Sequence, residues 1–380
     1  MKLKDKNFLN LAILLIALSV PFSYIDLFGI RIFPFILLCA FLFLFRFLGN
    51  PVSVRNFYFF SSLLFIVFFM SVYSGNYNSV FGVLFFYFLS YWTLFLEKKY
   101  IEESVYFKLI KFYIFSALFL GIGVFLQNYF YNNFGILFGK IDEYSDRIGF
   151  GFIWSDYSFL SLFIVSAIPL IFYFKINFLY KFILAVILIY TSYLTTARTG
   201  IFSLFVFVFV FVFVFVFKIT AFKHRFNFST IFLFLFFILI FSGFFVNFYL
   251  GNSESRFLSL DSNGRIEDYY IALEFFKENW LFGSFYDTAL YRKEAAIVPH
   301  NIFIFNLVLG GIFIFSFFIL WYFDLLVYYY KLRKEKIFYS FLICLIGFQF
   351  IPAVFTAYFF SFLLSIMFFR LRFLRLNNLK

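Results

Sequence analysis

The chain has 380 residues and a net charge of +12; 64% of its residues are hydrophobic and only 13% are charged. Soluble proteins average about 25% charged residues, so this composition excludes a soluble domain of ordinary size and predicts an integral membrane protein. The two cysteines, Cys39 and Cys344, both fall in apolar runs. Their positions provide neither a disulfide framework nor the spacing of a metal site.

Apolar runs recur along the whole chain and are long enough for helices that cross a hydrocarbon core of about 30 Å. The first run begins at Phe8 behind three lysines, and no clean cleavage site follows it, so we interpret it as a retained span rather than a signal peptide. The predicted fold is an all-α polytopic bundle that forms a single membrane domain over residues 1–380. It has about twelve spans, near 8–22, 32–45, 57–72, 80–96, 112–130, 159–174, 182–196, 201–217, 231–250, 302–326, 337–350 and 353–369.

The segment 205–217 alternates phenylalanine and valine with the period of a β-strand. Both alternating residues are apolar, so the pattern does not distinguish a buried face from a polar, exposed face. The length of the run favours a helix that faces lipid.

The distribution of charge predicts the orientation of the spans. If the N-terminus is cytoplasmic, most of the 31 lysines and arginines fall on the inner side and most of the 19 acidic residues fall on the outer side. This asymmetry follows the positive-inside rule and predicts that both termini are cytoplasmic. The net charge then reflects topology rather than binding of nucleic acid. The basic C-terminal tail is expected to contact anionic membrane lipid.

In this orientation the large polar segments, 131–157 and 251–300, both face outward. The larger loop contains apolar residues at spacings of three and four: Ile266, Tyr269, Leu273, Phe276 and Trp280. This spacing predicts an amphipathic helix on the outer, membrane-proximal surface. Residues 261–263 offer N-cap side chains, so we expect Arg265 at or near the first helical turn. A cation there opposes the helix dipole unless an anion binds both the arginine and the free N–H groups.

Three other outward residues stand out by position. Arg198 lies in a short turn between the seventh and eighth spans, and Arg147 lies just before the sixth span, close in sequence to Asp146 and Asp156. His300 follows Pro299 at the edge of the tenth span. We expect Arg147, Arg198, Arg265 and His300 to converge on one outward cavity.

Each of these residues also has a purely structural interpretation. An arginine at a helix end is commonly an interfacial anchor that extends its charge to water. His300 would then be an interfacial cap of the tenth span, and Asp156 would only pair with Arg147. Gly310 and Gly311 would be helix-packing glycines.

The order of three motifs resembles a known family. TTARTG, GRIEDYYIALEFF and PHNIFIFNLVLGG occur in this order on the predicted outer face, and RIGFGFIWSDYS precedes them. The pattern is similar to that of the O-antigen polymerase and O-antigen ligase family of bacterial envelope glycosyltransferases. The motifs cover roughly residues 147–311, and the hydropathy layout matches over the whole chain. Each motif is short, and their order is the specific part of the resemblance.

The resemblance implies a GT-C-like enzyme of the bacterial inner membrane. Such an enzyme transfers glycan from an undecaprenyl-diphosphate-linked oligosaccharide to an acceptor hydroxyl on the periplasmic side, without a metal, a nucleotide sugar or another cofactor. By position, Arg198 and Arg265 match the phosphate-binding arginines of the family and His300 matches its candidate base; Arg147 is a further candidate for binding the diphosphate. A chain-length regulator and a flippase are the expected protein partners.

The residues suit this chemistry in their own right. Guanidinium groups neutralise a departing diphosphate with good geometry, and a neutral imidazole is a suitable base for a sugar hydroxyl. The sequence has no HExxH motif and no Cys/His cluster, so it gives little support to a metal-dependent mechanism. We favour a polymerase, with O-antigen ligase and capsule or exopolysaccharide polymerase as alternatives. A lipid-linked oligosaccharide flippase is disfavoured, because the spans contain few ionisable residues in their interiors.

Overall fold

The computed structural model describes residues 3–378 except 28–29, 51, 53, 145–146, 224–264 and 296. This part of the chain is mostly helical. The helices are α1 (Leu3–Ser19), α2 (Phe33–Leu44), α3 (Arg55–Ser74), α4 (Asn78–Phe95), α5 (Glu103–Phe134), α6 (Tyr157–Ser166), α7 (Ile168–Ile171), α8 (Phe178–Leu194), α9 (Arg198–Lys223), α10 (Arg265–Glu278), α11 (Thr288–Ala295), α12 (Ile302–Tyr329), α13 (Lys336–Gly347) and α14 (Tyr358–Asn378). Two antiparallel hairpins accompany them, β1 (Asp26–Leu27) with β2 (Ile30–Arg31) and β3 (Lys140–Tyr144) with β4 (Arg147–Phe152).

Four of the described helices are long and apolar enough to cross a membrane: α3, α4, α5 and the segment Ile302–Leu332 that contains α12. Several shorter apolar helices surround them. The structure is therefore compatible with a membrane protein. The count of twelve spans stays a prediction, and the ninth predicted span, 231–250, lies outside the described residues.

The alternating phenylalanine and valine residues form a helix, as the length of the run predicts. They belong to α9, and side chains such as Phe209 and Phe211 are exposed while Phe207 packs against Tyr339 of α13. The apolar period of two therefore does not produce a strand in this segment.

The loops predicted for the outer side meet at one end of the bundle. Asn76, between α3 and α4, donates a hydrogen bond from Nδ2 to Asp287 Oδ1 at 2.7 Å. Trp154, ahead of α6, donates from its indole N–H to the carbonyl oxygen of Pro21 at 2.8 Å. Segments far apart in sequence thus share the end that we call the outer end.

The loops predicted for the inner side meet at the opposite end. Arg55, the first residue of α3, donates to Asp324 Oδ1 at 2.6 Å. Arg370 of α14 donates to Glu335 Oε1 at 2.7 Å. These ion pairs join the inner ends of α3, α12, α13 and α14. The alternation of the spans and the end that faces the cytoplasm both stay predictions.

The connection between α13 and α14 extends between the core of the bundle and the outer end, where Tyr24 donates to the Thr356 carbonyl oxygen. It contains two 3-10 turns, Phe348–Phe350 and Val354–Thr356. The Phe355 ring lies 5.4 Å from that of Phe60 and 5.7 Å from that of Trp321. Phe60 belongs to the second turn of α3, counted from the inner end. In the predicted eleventh span, 337–350, the α-helix ends at Gly347 and a 3-10 turn follows it.

Helix α12 is a hairpin rather than one continuous span. Gly311 has φ 58° and ψ −166°, which breaks the helix. Beyond the break the Phe303 ring lies 6.0 Å from Phe318 and 5.3 Å from Tyr322. In a straight helix Phe303 and Phe318 would be about 22 Å apart, so residues 302–310 (α12a) fold back along residues 312–329 (α12b). The prediction of a single tenth helix over 302–326 is corrected in this respect.

The segment 279–287, which we call the interlock turn, fills the break in α12. Three main-chain hydrogen bonds join the two: Ser284 N–H to Val308 O (3.1 Å), Tyr286 N–H to Leu309 O (2.6 Å) and Ile312 N–H to Trp280 O (2.9 Å). A Cβ atom at Gly311 would lie 2.3 Å from the Leu281 carbonyl oxygen, and one at Gly283, also at φ 58°, would lie 2.3 Å from that of Val308. Glycine is required at both positions because backbone meets backbone there. Gly311 is thus a chain-reversal residue and not a helix-packing glycine.

Candidate functional site

Arg198 is the first residue of α9, and its turn is fixed against α6. Ser161 Oγ donates to the Ala197 carbonyl oxygen and accepts from the Gly200 N–H, both at 3.2 Å. A Cβ atom at Gly200 would lie 2.2 Å from Ser161 Oγ, so glycine permits this close approach. The Arg198 side chain is half-buried, and its Nη2 atom is buried from solvent. The guanidinium is therefore held within the protein surface at a helix N-terminus.

The β3–β4 hairpin lies beside the Arg198 turn. A Cβ atom at Gly149 would lie 3.1 Å from Thr196 Oγ1, two residues before Arg198. Arg147 begins the same strand, and residues two apart lie on the same strand face. The buried Gln127 of α5 holds the hairpin by bonding to main-chain groups of both strands. The main chain of Arg147 is thus close to the Arg198 turn, while its side chain lies outside the described part.

Asp156 has a defined structural role next to these residues. Its Oδ1 accepts a hydrogen bond from the Phe159 N–H at 2.9 Å, which makes it the N-cap of α6. Burial raises the pKa of the Asp156 carboxyl, and the hydrogen bonds from the Phe159 and Ser158 N–H groups oppose that rise. The prediction that Asp156 pairs with Arg147 stays a prediction, and Asp146 lies outside the described residues.

Arg265 is helical and is the first described residue of α10. Its predicted place in the first helical turn stays a prediction, because the residues just before it lie outside the described ones. The predicted cap residues, 261–263, lie outside the described residues. Tyr269, one turn after Arg265, donates from its hydroxyl to the His300 carbonyl oxygen at 3.2 Å. Residues four apart share a helix face, so the main chain of Arg265 lies one turn from the contact with His300. The Arg265 side chain is not among the described ones.

Helix α10 buries a different face from the predicted one. Ala272 and Phe275 are buried, whereas Leu273 and Trp280, which belong to the predicted apolar stripe, are 42% and 56% exposed. The reason is a protein neighbour: the Phe275 ring packs 4.9 Å from that of Tyr291 in α11. The helix is present as predicted, but its buried side is set by α11 and α12a.

His300 is half-buried and follows the buried Pro299. The N-cap of α12 is its neighbour Asn301, whose Oδ1 accepts hydrogen bonds from the Phe303 N–H at 2.9 Å and the Ile304 N–H at 3.2 Å. The interpretation of His300 as the cap of the tenth span is therefore wrong. The Asn301 cap and the hydrogen bond from the Tyr269 hydroxyl hold the main chain at His300, from which the imidazole extends.

The elements that carry Arg198 and His300 contact the same 3-10 turn. Asn301 Nδ2 donates to the Gln349 carbonyl oxygen at 3.4 Å. Phe202, in the first turn of α9, packs against the adjacent Phe350 with ring centroids 5.0 Å apart. Because α10 reaches His300 through Tyr269, the Arg198 end of α9, the Arg265 end of α10 and the start of α12a belong to one region. The back-folding of α12a puts its first turn near the level of Phe318 and Tyr322.

The charges of the region favour an anion. The N-terminus of a helix carries a partial positive charge and free N–H groups. The N-terminus of α9, with Arg198, is one such end here, and the Arg265 end of α10 is predicted to be another. Burial raises the pKa of Tyr291 in α11 to about 12, and the negative charge of Asp268 in α10 adds to the rise. Within the described ranges, no three His, Cys, Asp or Glu side chains cluster in a way that would hold a metal ion.

Two residues of the site were not singled out from the sequence. Tyr269 was assigned to the apolar stripe of α10, and nothing in its spacing indicated that its hydroxyl bonds to a distant main chain. Asn301 carried a usable signal, because an asparagine directly before an apolar run is a typical N-cap. From sequence alone, the adjacent His300 is the more obvious candidate for a role at this position.

Comparison with known proteins gives no support from similarity: no protein-family model matches the chain, and no curated protein is similar to it.

Proposed function

We propose that the protein is an O-antigen polymerase of the bacterial inner membrane, with both termini in the cytoplasm. Two contacts carry the proposal: α9 near Arg198 and the start of α12a share one 3-10 turn, and α10, one turn after Arg265, bonds to the main chain of His300. Two positive helix ends suit a diphosphate, and a nearby imidazole suits activation of a hydroxyl. The order of the sequence motifs supports the same assignment.

In the proposed reaction the acceptor is the terminal sugar hydroxyl of one lipid-linked chain, and the donor is a second chain on undecaprenyl diphosphate. His300 takes the hydroxyl proton while the oxygen attacks the anomeric carbon of the donor. The bond from that carbon to the diphosphate oxygen breaks, and undecaprenyl diphosphate leaves with the bonding electrons. Arg198 and Arg265 stabilise the negative charge that develops on the leaving group, and Arg147 is a third candidate for that role. A single displacement inverts the anomeric centre.

The depth of the site fits a lipid-linked donor. The region around the Phe348–Phe350 turn lies beside Phe355, which packs among Phe60 and Trp321 in the core of the bundle. A diphosphate attached to a membrane lipid approaches such a region from within the bilayer. O-antigen ligase and capsule or exopolysaccharide polymerase use the same kind of donor, and they remain the alternatives. A flippase is the alternative from another class.

The test is reconstitution. Purified protein in vesicles is supplied with an undecaprenyl-diphosphate-linked repeat unit and EDTA, and lipid-linked products are separated by length. A polymerase gives dimers and longer chains, with one undecaprenyl diphosphate released for each bond. Transfer only to added lipid A core would identify a ligase. Movement of the substrate across the bilayer without a new glycosidic bond would identify a flippase.

A further inference from the structure

Aromatic side chains cluster on the surface around the interlock turn. Tyr73, at the outer end of α3, packs 4.4 Å from Phe285, and Phe282 stacks 5.6 Å from Phe313 at the start of α12b. These side chains remain accessible: Tyr73 is 76% exposed and Phe313 is 47% exposed. Trp280 belongs to the same turn, where its carbonyl oxygen accepts from the Ile312 N–H, and its side chain is 56% exposed. The patch joins the interlock turn to the outer ends of two candidate spans.

The patch lies about one bilayer thickness from the charged end of the bundle. Helix α12b covers about 27 Å from Gly311 to Tyr329, and α3 covers about 29 Å from its first to its last residue, at 1.5 Å per residue. Both lengths are close to the hydrocarbon thickness of about 30 Å. Arg55 and Asp324 mark the opposite, charged end of the same two helices.

The main chain of the interlock turn suits a position at the edge of the hydrocarbon. Irregular backbone is costly in an apolar medium unless its polar groups are bonded within the protein. Here the N–H groups of Ser284 and Tyr286 and the carbonyl oxygen of Trp280 are bonded to α12. The turn thus presents aromatic side chains outward while its main chain is bonded inward.

We propose that the interlock turn is a membrane-interface anchor whose aromatic side chains lie at the headgroup level of the outer leaflet. Tryptophan and tyrosine are enriched at that level because their rings are apolar and their N–H and O–H groups bond to water or headgroups. The inference rests on the membrane location in the proposed function and is independent of glycosyl transfer. A second copy of the chain is the competing occupant. The bilayer is favoured because Tyr73 lies about 27 Å along α3 from Arg55, close to the hydrocarbon thickness of about 30 Å. Along α12b, Asp324 lies about 20 Å from Gly311, and the helix continues for more than a turn beyond it.

The anchor fixes the depth of the site. Helix α12a folds back from Gly311 toward the inner end, and Phe303 lies about 12 Å along it from the break. His300 comes just before that helix, so it lies well below the headgroup level and inside the bundle. Substrates must therefore enter the outer half of the bundle rather than bind on its outer rim.

The experiment measures the depth of Trp280. Among the four tryptophans, Trp92, Trp154 and Trp321 are buried, so Trp280 is the one that lipid can reach. The full-length protein is placed in vesicles of phosphatidylcholine brominated either near the headgroup or near the chain end. The Trp280 fluorescence is obtained by subtracting the emission intensity of Trp280→Phe from that of the unaltered protein. Trp154→Phe serves as a matched control for a buried indole.

We expect loss of most of the Trp280 emission with shallow bromines and a smaller loss with deep ones. Quenching by aqueous iodide without quenching by bromolipid would overturn the proposal. So would protection from both quenchers together with a Trp280 crosslink to a second copy, since that identifies a protein partner. If Trp280→Phe does not accumulate, Phe313→Trp provides the added probe at the same patch. Polymerisation is assayed in the same vesicles, so failure of the anchor and failure of the proposed activity are distinguishable.

Discussion

The two arginines at helix N-termini are expected to act through the shape of the guanidinium and not only through its charge. Lysine keeps the charge but cannot form two parallel hydrogen bonds to a phosphate. Hydrogen bonds to charged groups contribute about 1.5–3 kcal/mol each, so Arg198→Lys and Arg265→Lys should each lower the polymerisation rate by roughly 10- to 100-fold. The rate is measured in vesicles at matched protein content.

Arg292→Lys is the matched control for these variants, because Arg292 is an exposed arginine in the last turn of α11. It should polymerise like the unaltered protein. If Arg198→Lys and Arg265→Lys also keep full activity, the two arginines are interfacial anchors.

The carboxyl of Asp156 makes a pH-dependent contribution to stability. Its pKa is raised in the folded protein by burial, so the folded state binds the proton more tightly than the unfolded chain does. The resulting stabilisation is fully present below the ordinary carboxyl pKa and is lost as the pH rises through the raised value. We expect the free energy of unfolding to decline over that pH range in the unaltered protein and to vary less in Asp156→Asn, as followed by denaturation in detergent.

Asp156→Ala separates the cap from the charge. It removes the acceptor for the Phe159 N–H, and loss of an N-cap costs about 1 kcal/mol. If Asp156→Ala and Asp156→Asn unfold alike at all pH values, the cap does not stabilise α6.

At the scale of secondary-structure elements, the interlock between 279–287 and α12 depends on its two glycines. In Gly311→Ala the new Cβ would meet the Leu281 carbonyl oxygen, and the residue would keep a backbone conformation that is essentially restricted to glycine. We expect a loss of at least about 3 kcal/mol in the free energy of unfolding, with earlier proteolysis of the large outer loop.

Gly135→Ala is the matched control. Gly135 also has a positive φ, but a Cβ there meets nothing within 4 Å. The substitution should cost only the backbone strain, about 1–2 kcal/mol. Equal losses for the two variants would show that the contact with Leu281 contributes nothing.

The elements were predicted from sequence where local signals suffice. The amphipathic helix that contains Arg265 is present as predicted, and the run of alternating phenylalanine and valine is helical. The hairpin in α12 was missed because residues 302–326 are apolar on both sides of the break, so hydropathy does not register it. The Gly310–Gly311 pair was the available signal, but its effect depends on the interlock turn, which approaches from a distant part of the chain. The convergence of Arg198 with His300 stays a prediction; their neighbours Phe202 and Asn301 both contact the Phe348–Phe350 turn.

At the scale of the whole molecule, the orientation of the bundle is testable without any substrate. Cysteines placed at Ser262, in the large outer loop, and at Lys334, at the charged inner end, should react with a membrane-impermeant reagent from opposite sides. Intact cells should label Ser262→Cys alone, and lysed cells should label both. Labelling of both from outside would refute the topology and the location of the site with it.

The central claim is that His300 is the base for polymerisation, and its most direct test is the length of the lipopolysaccharide chains made in cells. A general base typically contributes about 10²- to 10⁴-fold to rate. His300→Ala is compared with His224→Ala, the substitution of the other histidine, at matched amounts of membrane-inserted protein. The account predicts that His300→Ala accumulates single repeat units on lipopolysaccharide gels while His224→Ala makes chains of normal length. Chains of normal length from His300→Ala would contradict it and direct the search for a base to Glu267 and Asp268.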